Sequence, residues 1–368
     1  MKKIIALAVA AAFVAPVAMA EVTVYGSLRT SVEYAKVDGP AADYSKVRLA
    51  DQSSRLGFKG SDKLDNGLTV LWQAEQRVRV GASNADGTNN QQSAGWGDRD
   101  TFVGLQGDFG LVRAGKFDDI IDASRGDFYS ALGGLEETSS ISGRFVRRGA
   151  AKSSNTVAYH SPSFGGFGFK AQYVLGEKNA TADNRGYAAT AFYKHSMFEL
   201  GAGYKAMNDT TSSAAGTATV TAPDTTVVGD KYKYYVVGAS VKPIAGLKIS
   251  AAYDQTKVTD VAASTSETKQ AGYGVGVQYD MGKYSFQTSY NKLEDKKVNG
   301  VKSVDSGAWG AEIGMTYALS KQTKLLAGIS YIKNDANTSL TTNTSAFSTT
   351  DAKGAKQSSV SVGIRTDF

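Results

Sequence analysis

Ser359 to Phe368 reads S-V-S-V-G-I-R-T-D-F. Val360, Val362, Ile364 and Phe368 share one parity, while Ser361, Gly363, Arg365 and Asp367 share the other. Alternation with period two over about ten residues describes a strand with one apolar and one polar face. A soluble domain seldom ends on such a strand with an aromatic carrying the free carboxylate. The closing strand of a bilayer-spanning barrel does, with its aromatic at the lipid–water boundary.

The opposite end agrees. Met1 to Ala20 has Lys2 and Lys3, an apolar run from Ile4 to Val17, and Ala18-Met19-Ala20 before Glu21. These are the basic region, apolar region and A-x-A site of a secretory signal peptide, and the run is too short and alanine-rich for a membrane anchor. The expected division is therefore a signal peptide at 1–20, cleaved after Ala20, and one barrel at 21–368. Cleavage leaves 348 residues, and loss of Lys2 and Lys3 lowers the net charge from +6 to +4.

Composition narrows the class. There is no cysteine, which excludes disulfides and thiol chemistry. Only 5 prolines interrupt the chain, which favours long hydrogen-bonded ladders. The mature chain holds no run of about 18 consecutive apolar residues, so no membrane-spanning helix is expected. No linker or shift of composition divides it. A charge of +4 spread over this length forms no compact basic patch, and with the signal peptide it argues against a nucleic-acid partner.

Short turn-like stretches alternate with longer polar ones. The short ones are Lys63–Gly67, Gly107–Gly110, Ser161–Gly166, His195–Met197, Lys242–Gly246, Asp280–Lys283 and Ser320–Thr323. The long ones run over 35–48, 80–97, 117–154, 176–185, 207–230, 257–269, 292–306 and 333–358. Seven turns and eight loops joining antiparallel strands require sixteen strands, the pattern of a bacterial outer-membrane barrel. The fold class expected is thus all-β, a sixteen-stranded antiparallel transmembrane β-barrel.

Most strands alternate. Val22, Val24, Leu28, Val32 and Tyr34 oppose Tyr25, Ser27, Arg29, Ser31 and Glu33; Val70, Trp72 and Ala74 oppose Gln73, Glu75, Arg77 and Arg79. The stretch 186–194 is poorly patterned and 99–106 is ambiguous. A soluble sandwich would bury the apolar faces, but its strands would not fall into sixteen evenly spaced units. Side chains cannot fill so wide a barrel, so it should hold water and serve passive diffusion.

Several stretches resemble the Gram-negative general diffusion porins of Neisseria and other β-proteobacteria. They are E-V-T-V-Y-G-S-L at 21–28, S-S-R-L-G-F-K-G at 53–60, N-G-L-T-V-L-W-Q-A-E-Q at 66–76 and W-G-D-R-D-T-F-V-G-L at 96–105. G-L-V-R-A-G-K-F at 110–117, Y-H-S-P-S-F-G-G at 159–166 and the terminal Phe368 extend the likeness across the mature chain. The resemblance implies a homotrimer in the cell outer membrane, each barrel carrying a long third loop folded into the pore. It implies partners of outer-membrane lipid and lipopolysaccharide, permeants that are inorganic ions and small hydrophilic solutes, and no cofactor.

The third long segment is the longest and carries Asp118, Asp119, Asp122, Asp127, Glu136 and Glu137, the expected acids of the constricting loop. By motif, Arg55 and Arg99 match the family's wall arginines. Lys59 and Arg77, which point inward by parity, and Arg147 and Arg148 complete the expected basic side; Arg29 and Arg79 also point inward. Arg113 and Lys116 cannot both do so. An arginine expected before the S-P turn is replaced by Ala158 and His160, with Arg144, Arg147 and Arg148 as substitutes; the loop also lacks P-E-F-G-G. Opposed charged walls create a transverse field in a narrow aqueous gap, and surplus arginine there favours anions modestly.

An enzyme is not expected. Only His160 and His195 are available as imidazole bases, both beside short turns, with no serine-centred or H-E-x-x-H motif. A substrate-specific channel is the closer rival and would show an aromatic ladder in the pore; Tyr25 and Tyr235 are candidates to point inward, but no regular ladder emerges. A structural or adhesive barrel would show a plugged lumen.

Overall fold

The computed structural model describes residues 21–81, 96–133, 140–149, 152–178, 183–208, 231–259, 266–342 and 346–368. They form a single closed antiparallel sheet. Its first strands are β1 (Glu21–Asp38), β2 (Asp43–Asp51 continued by Arg55–Lys63), β3 (Thr69–Arg77), β4 (Thr101–Gly107) and β5 (Gly110–Asp118). Next come β6 (Lys152–His160), β7 (Phe167–Lys178), β8 (Asp183–Lys194), β9 (Phe198–Met207), β10 (Lys231–Ile244) and β11 (Leu247–Thr259). The last are β12 (Glu267–Met281), β13 (Tyr284–Leu293), β14 (Ala308–Ala318), β15 (Thr323–Asn334) and β16 (Lys356–Asp367). The two pieces of β2 count as one strand because both pair with β1, one along Asp38 to Thr30 and the other along Ser27 to Glu21. The break is stitched by Ser54, whose Oγ accepts the Arg29 N–H at 2.8 Å and donates to the Arg29 carbonyl at 3.0 Å. A hairpin of Lys297–Val298 and Val301–Lys302 belongs to the loop between β13 and β14.

All seven short turns fall between strands where expected, six by turn chemistry and His195–Met197 by spacing. The first long loop does not. Strands β1 and β2 continue to Asp38 and from Asp43, leaving only 39–42 as connection, closed by Gly39 N–H to the Ala42 carbonyl at 2.9 Å. Ala35 and Val37 face inward and are wholly buried against Ala346 and Phe347, so an inverted apolar pattern hid the strand there.

The alternation sorts the two faces. Val22, Val24, Leu28, Val32 and Tyr34 of β1 are exposed on the outer, lipid-facing side, while Ser27, Arg29, Ser31 and Glu33 are buried inside. The weak pattern in β8 has a cause: its inward Ala188 and Phe192 pack against apolar side chains of the third loop, so both faces are apolar. Tyr235 lies outward, 41% exposed, and its neighbour Tyr234 points inward, fully buried.

The main apolar cluster therefore lies inside the barrel. The loop between β5 and β6 contains α1 (Ile120–Phe128), a 3₁₀ turn (Ser130–Gly133) and α2 (Ser142–Phe145). Ile120, Ile121, Phe128, Tyr129, Leu132, Ile141, Phe145 and Val146 pack with inward residues such as Tyr234, Val236, Ala252 and Ile332.

The terminal residue closes the cylinder. Gly26 N–H donates to an oxygen of the Phe368 carboxylate at 2.8 Å, and Phe368 N–H donates to the Gly26 carbonyl at 3.1 Å. β1 and β16 then pair from Ser27↔Asp367 to Asp38↔Lys356. The Phe368 ring covers Gly26 so closely that a Cβ there would lie 2.4 Å from the ring and 2.8 Å from the Arg55 carbonyl oxygen. Gly26→Val should therefore destabilise the barrel by about 1–3 kcal/mol through overpacking at the seam. Urea titration in phospholipid vesicles, followed by heat-modifiable electrophoretic mobility, should show a lower midpoint; an unchanged midpoint would contradict a tight seam.

Candidate functional site

Three groups converge on one carboxylate on the inner wall of β1–β4. Glu75 of β3 is 5% exposed. Its Oε1 accepts Arg99 Nε at 2.5 Å, its Oε2 accepts the Tyr25 hydroxyl at 3.0 Å, and Arg55 Nη1 lies 4.0 Å from Oε1. Strand register puts Gly57 opposite Glu75, with Arg55 opposite Arg77. The Arg99 N–H also donates to the Glu75 carbonyl at 3.1 Å, which fixes the approach to β4. Arg55 and Arg99 thus share one counter-charge.

Around this centre the wall remains basic. The Arg77 N–H donates to Asp98 Oδ1 at 2.8 Å, with the guanidinium 3.8 Å from Oδ2. Arg79 lies 3.7 Å from Asp51. Lys59 is exposed, its ammonium 5.2 Å from the Tyr25 ring centroid. Arg113 sits over two aromatic faces, 4.0 Å from Phe117 and 5.0 Å from Phe102, contacts that stabilise a cation without neutralising it. Asp118 is half-buried at the end of β5, its N–H donating to Asp100 Oδ1 at 3.2 Å.

The charge of Asp118 acts on Arg55, Arg99 and Arg113, whereas the described loop acids beyond it go elsewhere. Asp119 caps α1 by accepting the Asp122 N–H at 2.9 Å, and its other oxygen accepts Lys205 Nζ at 2.6 Å. Asp127 pairs with Lys170 at 2.5 Å and Lys194 at 3.1 Å. Asp122 pairs within the loop, 2.9 Å from Arg147. Glu136 and Glu137 lie outside the described residues. Arg148 is 8% exposed and fastened to Asp254 of β11 by Nε at 3.1 Å and Nη2 at 2.5 Å. The backbone N–H groups of Arg147 and Arg148 donate to the same carboxylate at 3.0 and 3.2 Å, which holds Arg147 in a left-handed conformation at φ 85°.

Backbone N–H donors of the loop continue these attachments around the wall. The Ile120 N–H donates to Gln172, Ala131 N–H to Ser250 Oγ, and Ile141 N–H to Glu312, at 2.9, 3.0 and 2.9 Å. Burial pushes the Tyr129 phenol of this loop up to about 12 and, with the nearby charge of Arg147, pulls the Arg144 guanidinium down to about 10. Glu75, Asp254, Lys205 and Lys170 were not foreseen as site residues. Their inward parity was legible in the chain; their partners, brought from up to 106 residues away, were not.

Comparison with known proteins places this arrangement. A family model described as "Gram-negative porin" matches residues 6–337. The major outer membrane protein P.IB of Neisseria sicca is 31% identical over 354 residues, covering 90% of this chain and 94% of that protein. The protein of the same name from Neisseria lactamica is 29% identical over 355 residues, covering 94% and 97%. Among solved structures, an anion-selective porin from Comamonas acidovorans superposes with a TM-score of 0.70 at 22% identity, over 95% of this chain and all of that one. OmpF of Salmonella typhi, solved with daunomycin, gives 0.63 at 20% identity over 95% and 98%. With a family match spanning most of its length and a closed sixteen-stranded barrel, the chain belongs to the Gram-negative porin family.

Proposed function

We propose that this outer-membrane porin passes inorganic ions and small hydrophilic solutes by passive diffusion through a gap between the arginine wall of β1–β5 and the third loop, with modest anion preference. The carrying observation is the sharing of Glu75 by Arg55 and Arg99. Lys59 and Arg113, resting on aromatic rings, add positive charge, whereas Asp119 and Asp127 are balanced by lysines. On this reading the third loop narrows the pore, and its attachments to β7–β14 leave the β1–β5 side as the route.

The native state is taken to be a homotrimer surrounded by lipid and lipopolysaccharide. A solved OmpT of Vibrio cholerae with this fold is described as a trimer, which supports that reading. The same reading makes the protein a channel and not an enzyme.

The decisive measurement is the reversal potential of purified protein in a planar bilayer under a KCl gradient. The wild type should give an anion-directed potential, larger near 0.1 M salt than near 1 M, because the screening length falls from about 10 Å to about 3 Å. Combining Arg55→Gln and Arg99→Gln should move the potential toward the cation side; no movement would remove these arginines from the constriction.

Glu75 gives the complementary test. Glu75→Gln keeps the shape and removes the shared counter-charge, so the anion-to-cation permeability ratio should rise by roughly twofold or more. A fall in that ratio would show that the carboxylate does not restrain the arginines.

We also propose export through cleavage after Ala20. Intact-mass measurement of protein from outer membranes should give a chain of residues 21–368 with Glu21 at its amino terminus, and retention of Met1 to Ala20 would refute it.

A further inference from the structure

Four lysines face outward in one row across β10, β11, β12 and the hairpin of the β13–β14 loop. Strand register puts Lys233 opposite Lys257, Lys257 opposite Lys269, and Lys269 opposite Lys297. Their neighbours along the strands settle the direction. Tyr232, Tyr234 and Thr256 are buried on the inner face, and Gln270 Oε1 accepts Arg148 inside the barrel. Adjacent strands lie about 4.8 Å apart, so the row spans about 14 Å. The hairpin holds Lys297 in place. The Glu267 N–H donates to Asn299 Oδ1 at 2.7 Å and the Asn299 N–H to the Glu267 carbonyl at 2.8 Å. Asn299 and Gly300 make its turn in left-handed conformations, at φ 51° and 82°.

Like charges directly opposite one another destabilise a sheet. Here Glu267 is shared by Lys257 and by Lys269, the latter at 2.5 Å, while Lys233 and Lys297 have no carboxylate partner among the described residues. The row therefore carries surplus positive charge on the outer wall. Its height follows from the chain. Ten residues of β12 separate Lys269 from Tyr279, beside the short turn. At about 3.4 Å per residue and a tilt of about 40° they rise about 25 Å, the height of the apolar band of an outer-membrane barrel. Exposed Tyr235, Tyr253 and Tyr273 lie just below the row. The lysines thus stand at headgroup level above an aromatic belt, at the long-loop end, which in such barrels is extracellular.

We propose that Lys233, Lys257, Lys269 and Lys297 form a binding site on the outer wall for the phosphate groups of an outer-leaflet glycolipid. A row of this length fits a headgroup with more than one phosphate. Each phosphate can lie between two ammonium groups and relieve their repulsion, and lysine binds it as a point charge without a fixed geometry. The tyrosines below offer amphipathic rings to the sugar and the start of the acyl chains. A free anion would meet the same lysines but gain nothing from the tyrosines, whereas a lipid headgroup is held at this height by its own chains. The inference rests on the reading that lipopolysaccharide surrounds the barrel, and names where it is held.

Titrating the refolded protein in nonionic detergent with fluorescent lipid A carrying both phosphates should show saturable binding that weakens as salt rises. Combining Lys233→Gln, Lys257→Gln, Lys269→Gln and Lys297→Gln should weaken it at least about tenfold, with heat-modifiable mobility and the KCl reversal potential unchanged. The double variant Lys233→Gln, Lys297→Gln, which leaves the Glu267 pairs intact, should fall between this and the wild type. Glutamine at three exposed lysines of the short-turn end, Lys63, Lys283 and Lys321, should leave affinity at the wild-type value. Dephosphorylated lipid A should bind the wild type as weakly as phosphorylated lipid A binds the quadruple variant. Equal binding of lipid A with and without phosphate would overturn the site. So would displacement by inorganic phosphate at equal concentration, which would mark a soluble-anion site, or an altered oligomeric state of the quadruple variant, which would mark a contact between copies. If lipid A binds wild type and quadruple variant alike, this inference alone fails; if it binds neither, the lipopolysaccharide reading fails with it.

Discussion

In hydrocarbon no water can satisfy a backbone N–H or C=O, and each orphan costs several kcal/mol, so a sheet that spans must close. Everything else in this molecule follows from that closure. The reciprocal pair between Gly26 and Phe368 begins the seam, and twelve residue pairs from Ser27↔Asp367 to Asp38↔Lys356 continue it. The mature chain's described prolines stay clear of the regular ladder. Pro40 and Pro162 lie in connections, and Pro243 sits where the β10–β11 register shifts between Val241 and Ile244. The Phe368 ring covers the seam at Gly26.

Closure on sixteen strands creates a second problem, an interior too wide for side chains to fill. Loop residues supply a core there. Large buried apolar side chains of the third loop, among them Ile120, Ile121, Phe128, Leu132, Ile141 and Phe145, contribute roughly 1.5–3 kcal/mol each by burial. The buried ion pairs, Asp119–Lys205 and Arg148–Asp254, gain much less net, because desolvation cancels most of their attraction. Apolar packing therefore decides that the segment adheres to the wall, and the ion pairs decide in which register. Arg147 illustrates the distinction: its left-handed backbone is sustained by two N–H bonds that it and Arg148 make to Asp254.

Strand number and facing were legible because lipid outside and water inside impose a period of two on nearly every spanning segment. Failures occur where a loop replaces water as the inner solvent. Ala35 and Val37 looked like part of a loop because Phe347 covers them, and β8 lost its pattern because the third loop covers Ala188 and Phe192. For the site, the inward direction of Arg55, Lys59, Arg77 and Arg79 could be read from parity. Pairing could not. Whether Asp127 faces the arginines or Lys170 depends on how α1 lies against β7–β9, and that follows from three-dimensional packing.

The two kinds of cation divide the electrostatic work. Lysines 170, 194 and 205 engage loop carboxylates, where a compact ammonium on a flexible stem can follow the partner. Arginines 55 and 99 engage a wall carboxylate, where a planar guanidinium can bind one oxygen and keep its other N–H groups directed elsewhere. Had the loop acids been opposed directly to Arg55 and Arg99, pairing would have spent the positive charge on fixing the loop. With α1 fixed by lysines, Arg55 and Arg99 are left to share Glu75 on the wall, while Arg77 and Arg79 pair with Asp98 and Asp51. Anchoring of the loop and compensation of Arg55 and Arg99 thus fall to different residues of one barrel, Lys170, Lys194 and Lys205 for the first and Glu75 for the second.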